Sequence, residues 1–205
     1  MQDEKKPILI IRIKEGFTLT KKQPQIIVFA GPNGSGKSTI TQYVKLDCIY
    51  INADEIKKNL DCSDEEATKT AYNRRKVLIE QKKDFAFETV LSSDYNLDLL
   101  RKAKEKGYFI KCFYILTVDS AINVSRVLTR VHMGGHSVPT DKIKSRYENC
   151  LKRIPELVDI CDVIHIYDNT KEPERIFKKR KEQYFLWENK FWNEQQIRKL
   201  VFSNI

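Results

Sequence analysis

The stretch Ile26-Ile27-Val28-Phe29-Ala30-Gly31-Pro32-Asn33-Gly34-Ser35-Gly36-Lys37-Ser38-Thr39 is the most informative part of this chain. Its apolar opening reads as a short buried strand. Residues 31 to 38 then fit G-x-x-x-x-G-K-[ST], a loop that wraps nucleotide phosphates when it joins a strand to a helix. Gly31, Gly34 and Gly36 allow the backbone to turn with its N–H groups inward, and the following helix offers its positive end. In this reading Gly31, Pro32, Asn33, Gly34, Ser35, Gly36, Lys37, Ser38 and Thr39 hold the nucleotide. Lys37 reaches the β- and γ-phosphates, and the Ser38 hydroxyl ligates magnesium.

Outward from this loop, apolar runs and helical stretches alternate from residue 25 to 190, the pattern of repeated βαβ units. Strands are expected at Ile26–Ala30, Cys48–Asn52, Phe85–Glu88, Phe109–Leu116 and Val163–Tyr167. Helices are expected to begin near Lys37, Asp64, Asn96, Asp119, Thr140 and Glu172, several after a Ser, Asp or Thr able to cap them. The class is therefore α/β, a parallel-sheet P-loop NTPase or kinase-like fold with helices on both faces and a helical lid. One domain is expected, its core over residues 25–170. Residues 1–24 form an N-terminal extension in which Pro7–Ile13 adds an edge strand. Residues 171–205 form a helical segment that Phe185, Trp187, Phe191 and Trp192 anchor on the core.

A chain of 205 residues, 41% of them apolar, has enough material for one sizeable core. Its net charge of +9 suits a polyanionic partner such as a nucleotide or RNA, although lysine runs also form solvated helix faces. The apolar run Pro7–Ile11 is too short for a signal-peptide core or a membrane span, so a cytoplasmic protein with no membrane partner is expected. The five cysteines have neither C-x-x-C spacing nor a His at zinc-ligand spacing, and read as reduced core residues.

The loop alone does not separate switch GTPases, motor ATPases and kinases. None of the seven glycines has an Asp three residues earlier, N-K-x-D is absent, and no strand ends in an Asp-Glu pair. These absences favour a kinase. Asp54, just past the second strand, lies at the sheet edge where ligands bind and is the candidate base for an acceptor hydroxyl. Glu55 beside it reads equally well as a helix N-terminal acid. Glu88 ends the third strand and is a candidate for holding acceptor hydroxyls or magnesium-bound water, with Thr89, Ser92 and Ser93 as further acceptor contacts. Arg126, Arg130, His132, Gly134, Gly135, His136 and Arg146 lie in a lid-like stretch. Arg126 and Arg130 share one helix face, from which guanidinium groups can neutralise a transferring phosphoryl group. His136 reads as a phosphate donor or as a lid-backbone contact.

Taken together, G-P-N-G-S-G-K-S-T from 31, N-A-D-E-I from 52, F-E-T from 87, R-V-H-M-G-G-H-S-V-P from 130, R-Y at 146 and Y-D-N at 167 resemble the zeta-toxin family, in its smaller G-G-H-x-V-P branch. The resemblance implies a fold related to shikimate and chloramphenicol kinases. For toxin members it implies ATP-dependent phosphorylation of a UDP-N-acetyl amino sugar, and an antitoxin partner that blocks the nucleotide site. By the same match Asp54 is the base, Glu88 the substrate-binding acid and Arg130 a phosphate-contacting lid arginine. The chain departs from the UDP-sugar kinases of the family at His136, where they carry arginine, and at Thr89, where they carry glycine. Nucleotide binding is untouched by either change, but the acceptor is left open.

Three functions are thus compatible with the sequence. The first is an ATP- and Mg2+-dependent kinase of a small hydroxylated acceptor. The second is a polynucleotide or RNA kinase or RNA-acting NTPase, which would need a basic stripe leading to Asp54. The third is a nucleotide-binding module without turnover, with Asp54 turned away from the γ-phosphate.

Overall fold

The computed structural model describes residues 23–134 and 137–202. Its elements in chain order are β1 Gln25–Ala30, α1 Lys37–Thr41, β2 Ile49–Ile51, α2 Ala53–Leu60, α3 Asp64–Glu80, β3 Phe85–Thr89, α4 Tyr95–Glu105, β4 Phe109–Leu116, α5 Ser120–His132, α6 Thr140–Lys152, α7 Ile154–Ile160, β5 Val163–Asp168, β6 Glu174–Arg180, β7 Gln183–Leu186 and α8 Glu194–Val201. A seven-stranded sheet runs in the order β2-β3-β1-β4-β5-β6-β7. β1 to β5 are parallel, and β6 and β7 join antiparallel at the β5 edge. All five expected strands are present.

The inner strands are continuous apolar runs because both of their faces are covered. Ile26, Val28, Phe85, Phe87, Ile110, Tyr114 and Ile164 face a core built with α3, α4, α7 and α8. Ile27, Phe29, Phe113 and Ile115 face the opposite way, toward α1 and residues 42–48. Phe29 pairs in register with Phe113, and their rings stack with centroids 5.5 Å apart. α3 starts with a full capping box between Ser63 and Glu66. Cys112, Cys150 and Cys161 are buried, Cys48 and Cys62 are half-buried, and all are free thiols.

One expectation fails: no helix starts near Glu172. The charged run Glu174–Arg180 is a strand that buries Ile176 and Phe177, and the chain reverses through Lys181 into β7. Pairing with the open edge of β5 outweighs the helix propensity of Lys, Arg and Glu. Of the expected helix anchors, Phe185 and Trp187 lie around β7 and are exposed, while Trp192 is buried just ahead of α8. α8 itself docks through Ile197, Leu200 and Val201. The helix after the phosphate loop is also short, only five residues. The expected Pro7–Ile13 strand lies outside the described residues.

His165 on β5 supplies a stability prediction. Its ring is buried and stacks on Phe113 at 5.3 Å. Burial first, and then Lys111, Arg175 and Lys178, lower its pKa from 6.5 to about 3. The unfolded chain therefore binds a proton that the folded chain refuses, and stability falls as pH drops below the unfolded value. A slope approaching about 1.4 kcal/mol per pH unit is expected from this group in the acid range. His165→Phe should flatten the melting temperature between about pH 6 and about pH 4. An unchanged acid slope in the variant would assign the sensitivity to other groups.

Candidate active site

β1 delivers the glycine loop to the carboxyl edge of the sheet, between connections leaving toward β2 and toward β4, where α/β proteins bind ligands. The loop fits so closely that a Cβ on Gly31 would stand 2.0 Å from the Ile115 carbonyl oxygen, and one on Gly34 would stand 2.5 Å from that of Asn123. Both glycines have positive φ, 144° and 77°. Two asparagines hold the loop: Asn123 Nδ2 donates to the Asn33 carbonyl at 2.6 Å, and Asn169 Nδ2 donates to the Ser35 carbonyl at 2.8 Å. Lys37 Nζ donates to the carbonyls of Gly31 and Pro32 at 2.8 and 3.0 Å. Burial lowers the Lys37 pKa; Glu88, Cys150 and Asp54 oppose that shift, and Arg130 adds to it.

A cavity of about 610 Å3 opens beside this loop. Asn33, Gly34, Gly36, Lys37, Ser38 and Thr39 line it on one side. Gly31, Pro32 and Ser35 are buried beneath and shape the loop instead.

Asp54 lines the cavity from the first turn of α2, where Asn52 caps the helix by accepting from the Asp54 N–H at 2.9 Å. A carboxylate here is favoured by the helix dipole. Glu55 is exposed and does not line the cavity. Glu88 faces the α1 side, and its Oε1 accepts from Tyr50 Oη at 2.7 Å and Thr41 Oγ1 at 3.1 Å. Thr89 uses its hydroxyl to shape the next turn, accepting from Leu91 N at 3.0 Å and Asn96 Nδ2 at 2.8 Å. That turn holds buried Leu91 at a φ of 58°, a strained value for a bulky side chain, and brings Ser92 and Ser93 to the cavity.

The opposite wall comes from α5 and α6, which share a small core of Val127, Val138 and Ile143 separate from the main one. Arg126, Arg130 and Arg146 line the cavity from these helices. Arg126 donates to the Thr170 carbonyl at 3.1 Å, and Arg146 Nη1 lies 3.4 Å from Asn33 Oδ1. His132 ends α5 away from the cavity. His136 and Gly135 lie outside the described residues.

Sequence reasoning missed several participants. Tyr50 and Thr41 fix Glu88, and Asn123 and Asn169 fix the loop, yet none stands out from its neighbours in the sequence. Arg75 also lines the cavity, and it carried a readable signal. It interrupts the stripe Ala67, Ala71, Leu78 and Ile79 that α3 turns toward the core, and it is only 4% exposed.

A parallel sheet with a G-x-x-x-x-G-K-[ST] loop at its edge, Glu88 near the end of the adjacent strand β3, Asp54 just past β2 one strand further out, and an arginine-bearing helical pair across the cavity defines a P-loop kinase. Sequence and structure comparisons agree with that class. The zeta toxin family profile matches residues 10–182, and the chain belongs to that family. An uncharacterised Haemophilus influenzae protein is 30% identical over 131 residues, 61% of this chain and 94% of its own length. The fold is similar to a structure from the PezAT chromosomal toxin–antitoxin system of Streptococcus pneumoniae, with a TM-score of 0.53 and 17% identity over 76% of this chain and 71% of that one. It is also similar to the AvrRxo1-ORF1:AvrRxo1-ORF2 complex solved with ATP, with a TM-score of 0.68 and 15% identity over 90% of this chain and 65% of that one. Among the described residues, no helix is long and apolar enough to cross a membrane.

Proposed function

We propose that the protein transfers the γ-phosphate of ATP to a hydroxyl group of a small acceptor, with a UDP-N-acetyl amino sugar as the acceptor that family membership favours. The observation that carries this reading is the convergence of Lys37, Asp54, Glu88, Arg126 and Arg130 on one cavity. The Asp54 carboxylate takes the proton of the acceptor hydroxyl as its oxygen bonds to the γ-phosphorus. The bond from that phosphorus to the bridging oxygen breaks, and ADP leaves with the electron pair. Lys37 and the arginines balance the charge gathered on the phosphate oxygens. Glu88, held by Tyr50 and Thr41, orients acceptor hydroxyls.

Magnesium, when bound, would supply charge neutralisation across the phosphates, and Ser38 is the side chain that would hold it. No group of three or more His, Cys, Asp or Glu among the described residues is arranged to hold a metal. That fits a cation carried mainly by phosphate oxygens and water. A nucleic-acid acceptor would call for a basic approach to Asp54. The neighbouring Lys57 is paired with Asp64 at 2.8 Å, whereas Arg75, Arg126, Arg130 and Arg146 line the cavity with Asp54, so an acceptor panel that includes RNA decides between the two readings.

The direct test is incubation with labelled ATP and a panel of UDP-sugars, nucleosides and RNA, followed by mass spectrometry. Label on RNA alone, or on nothing, would overturn the small-acceptor reading. Arg130→Ala supplies a second check. A guanidinium used mainly in the transition state should cost roughly a hundredfold in turnover and little in ATP affinity. At saturating ATP, a loss below about threefold would assign Arg130 to the helix surface, where ion pairs contribute at most about 1 kcal/mol.

A further inference from the structure

Arg75 sits on α3, on the β2–β3 side of the phosphate loop, whereas Arg126, Arg130 and Arg146 come from α5 and α6 on the far side. The two sets of guanidinium groups therefore enter one cavity from opposite walls. Arg75 is 4% exposed, and among the described residues no carboxylate pairs with it. Its Nε donates to the Ala71 carbonyl at 3.2 Å, and its guanidinium lies 4.6 Å from the Phe87 ring centroid and 5.9 Å from that of Tyr72. Burial lowers its pKa to about 10, so it is still charged at neutral pH. The aromatic faces and one carbonyl fix the plane of the group but use only one of its five N–H donors. Burying a cation so incompletely partnered is costly unless something else answers it. The place where an answering group can enter is the cavity that Arg75 lines together with Asp54 and Glu88.

We propose that Arg75 is the acceptor's anion subsite: it receives a phosphate or carboxylate group on the acceptor, so the acceptor is an anionic hydroxyl compound. The inference rests on the kinase reading. It divides the cavity into a transfer side, lined by α5 and α6, and an acceptor side, lined by α2 and α3. Planar pairing with two oxygens is the geometry a fixed guanidinium favours, and lysine reproduces it poorly.

With the phosphate loop filled by a non-hydrolysable ATP analogue, calorimetric titration with pyrophosphate, and separately with glucuronate, tests the subsite. Wild-type protein should bind one further equivalent of at least one of the two, and which one binds separates phosphate from carboxylate recognition. Arg75→Met should bind that anion at least tenfold more weakly, with unchanged affinity for the analogue, and Arg75→Lys should fall between. Should the Met variant fail to fold, as judged by its melting temperature, the comparison rests on the Lys variant. Identical isotherms in a folded variant, or no second equivalent in the wild type, would overturn the proposal, since a purely structural Arg75 changes stability and not anion binding. Matched acceptors separate this inference from the kinase reading. Equal transfer to N-acetylglucosamine and to N-acetylglucosamine 1-phosphate would overturn the subsite alone. No transfer to any acceptor, with Arg75-dependent anion binding intact, would overturn the kinase reading alone.

Discussion

Asp54→Asn is expected to leave ATP affinity within about twofold while lowering phosphoryl transfer by about a thousandfold. The amide keeps the shape and the capped first turn of α2, because the bond that anchors it runs from the Asp54 main-chain N–H to Asn52 Oδ1, not from the carboxylate. What is lost is the ability to accept the acceptor's proton. The exposed position on a helix N-terminus also means that losing the negative charge costs only about 0.3–1 kcal/mol of stability. Circular dichroism and a melting curve should therefore look nearly native, while single-turnover kinetics with labelled ATP collapse. A variant that transfers phosphate at the wild-type rate would remove Asp54 from the chemistry and leave its carboxylate a helix-terminus charge.

Lys37→Ala should abolish turnover and weaken nucleotide binding by about a hundredfold or more, since the lysine charge faces the β- and γ-phosphates in this type of loop. The fold should survive. The ammonium donates to two carbonyls of its own loop, at Gly31 and Pro32; once the side chain is removed, water entering from the cavity that Lys37 lines can take its place, so losing these bonds costs about 1 kcal/mol each. Nucleotide titration by fluorescence or calorimetry checks the affinity, and thermal melting checks the fold. Unchanged affinity in a folded variant would refute the assignment of residues 31 to 38 as the phosphate site.

Much of the architecture was legible because strand and helix in the central region announce themselves through different apolar spacings. Runs such as Phe109–Leu116 are apolar along most of their length, as strands covered on both faces must be. The β6–β7 hairpin was not legible. Glu174–Arg180 carries five charged residues around Ile176 and Phe177, a composition compatible with a helix, and only the free edge of β5 makes a strand of it. In the site, Lys37, Asp54, Glu88 and Arg126 were readable from motif and position. Asn123, Asn169, Tyr50 and Thr41 were not, since their work consists of hydrogen bonds to partners 38 to 134 residues away. Arg75 could have been noticed as a charge within an apolar stripe, although a stripe alone does not say what the charge faces.

The seam between the glycine loop and its neighbours also bears on the thermodynamics of ligand capture. The loop is tied at Asn33 and Ser35 by side chains from α5 and from the end of β5, and Gly31 lies so close to β4 that no side chain fits between them. Its backbone is thus confined before any ligand arrives, and the conformational entropy of ordering it, roughly 1–2 kcal/mol per residue, is lost during folding. Association need not supply that free energy a second time, so more of each phosphate contact is retained as affinity.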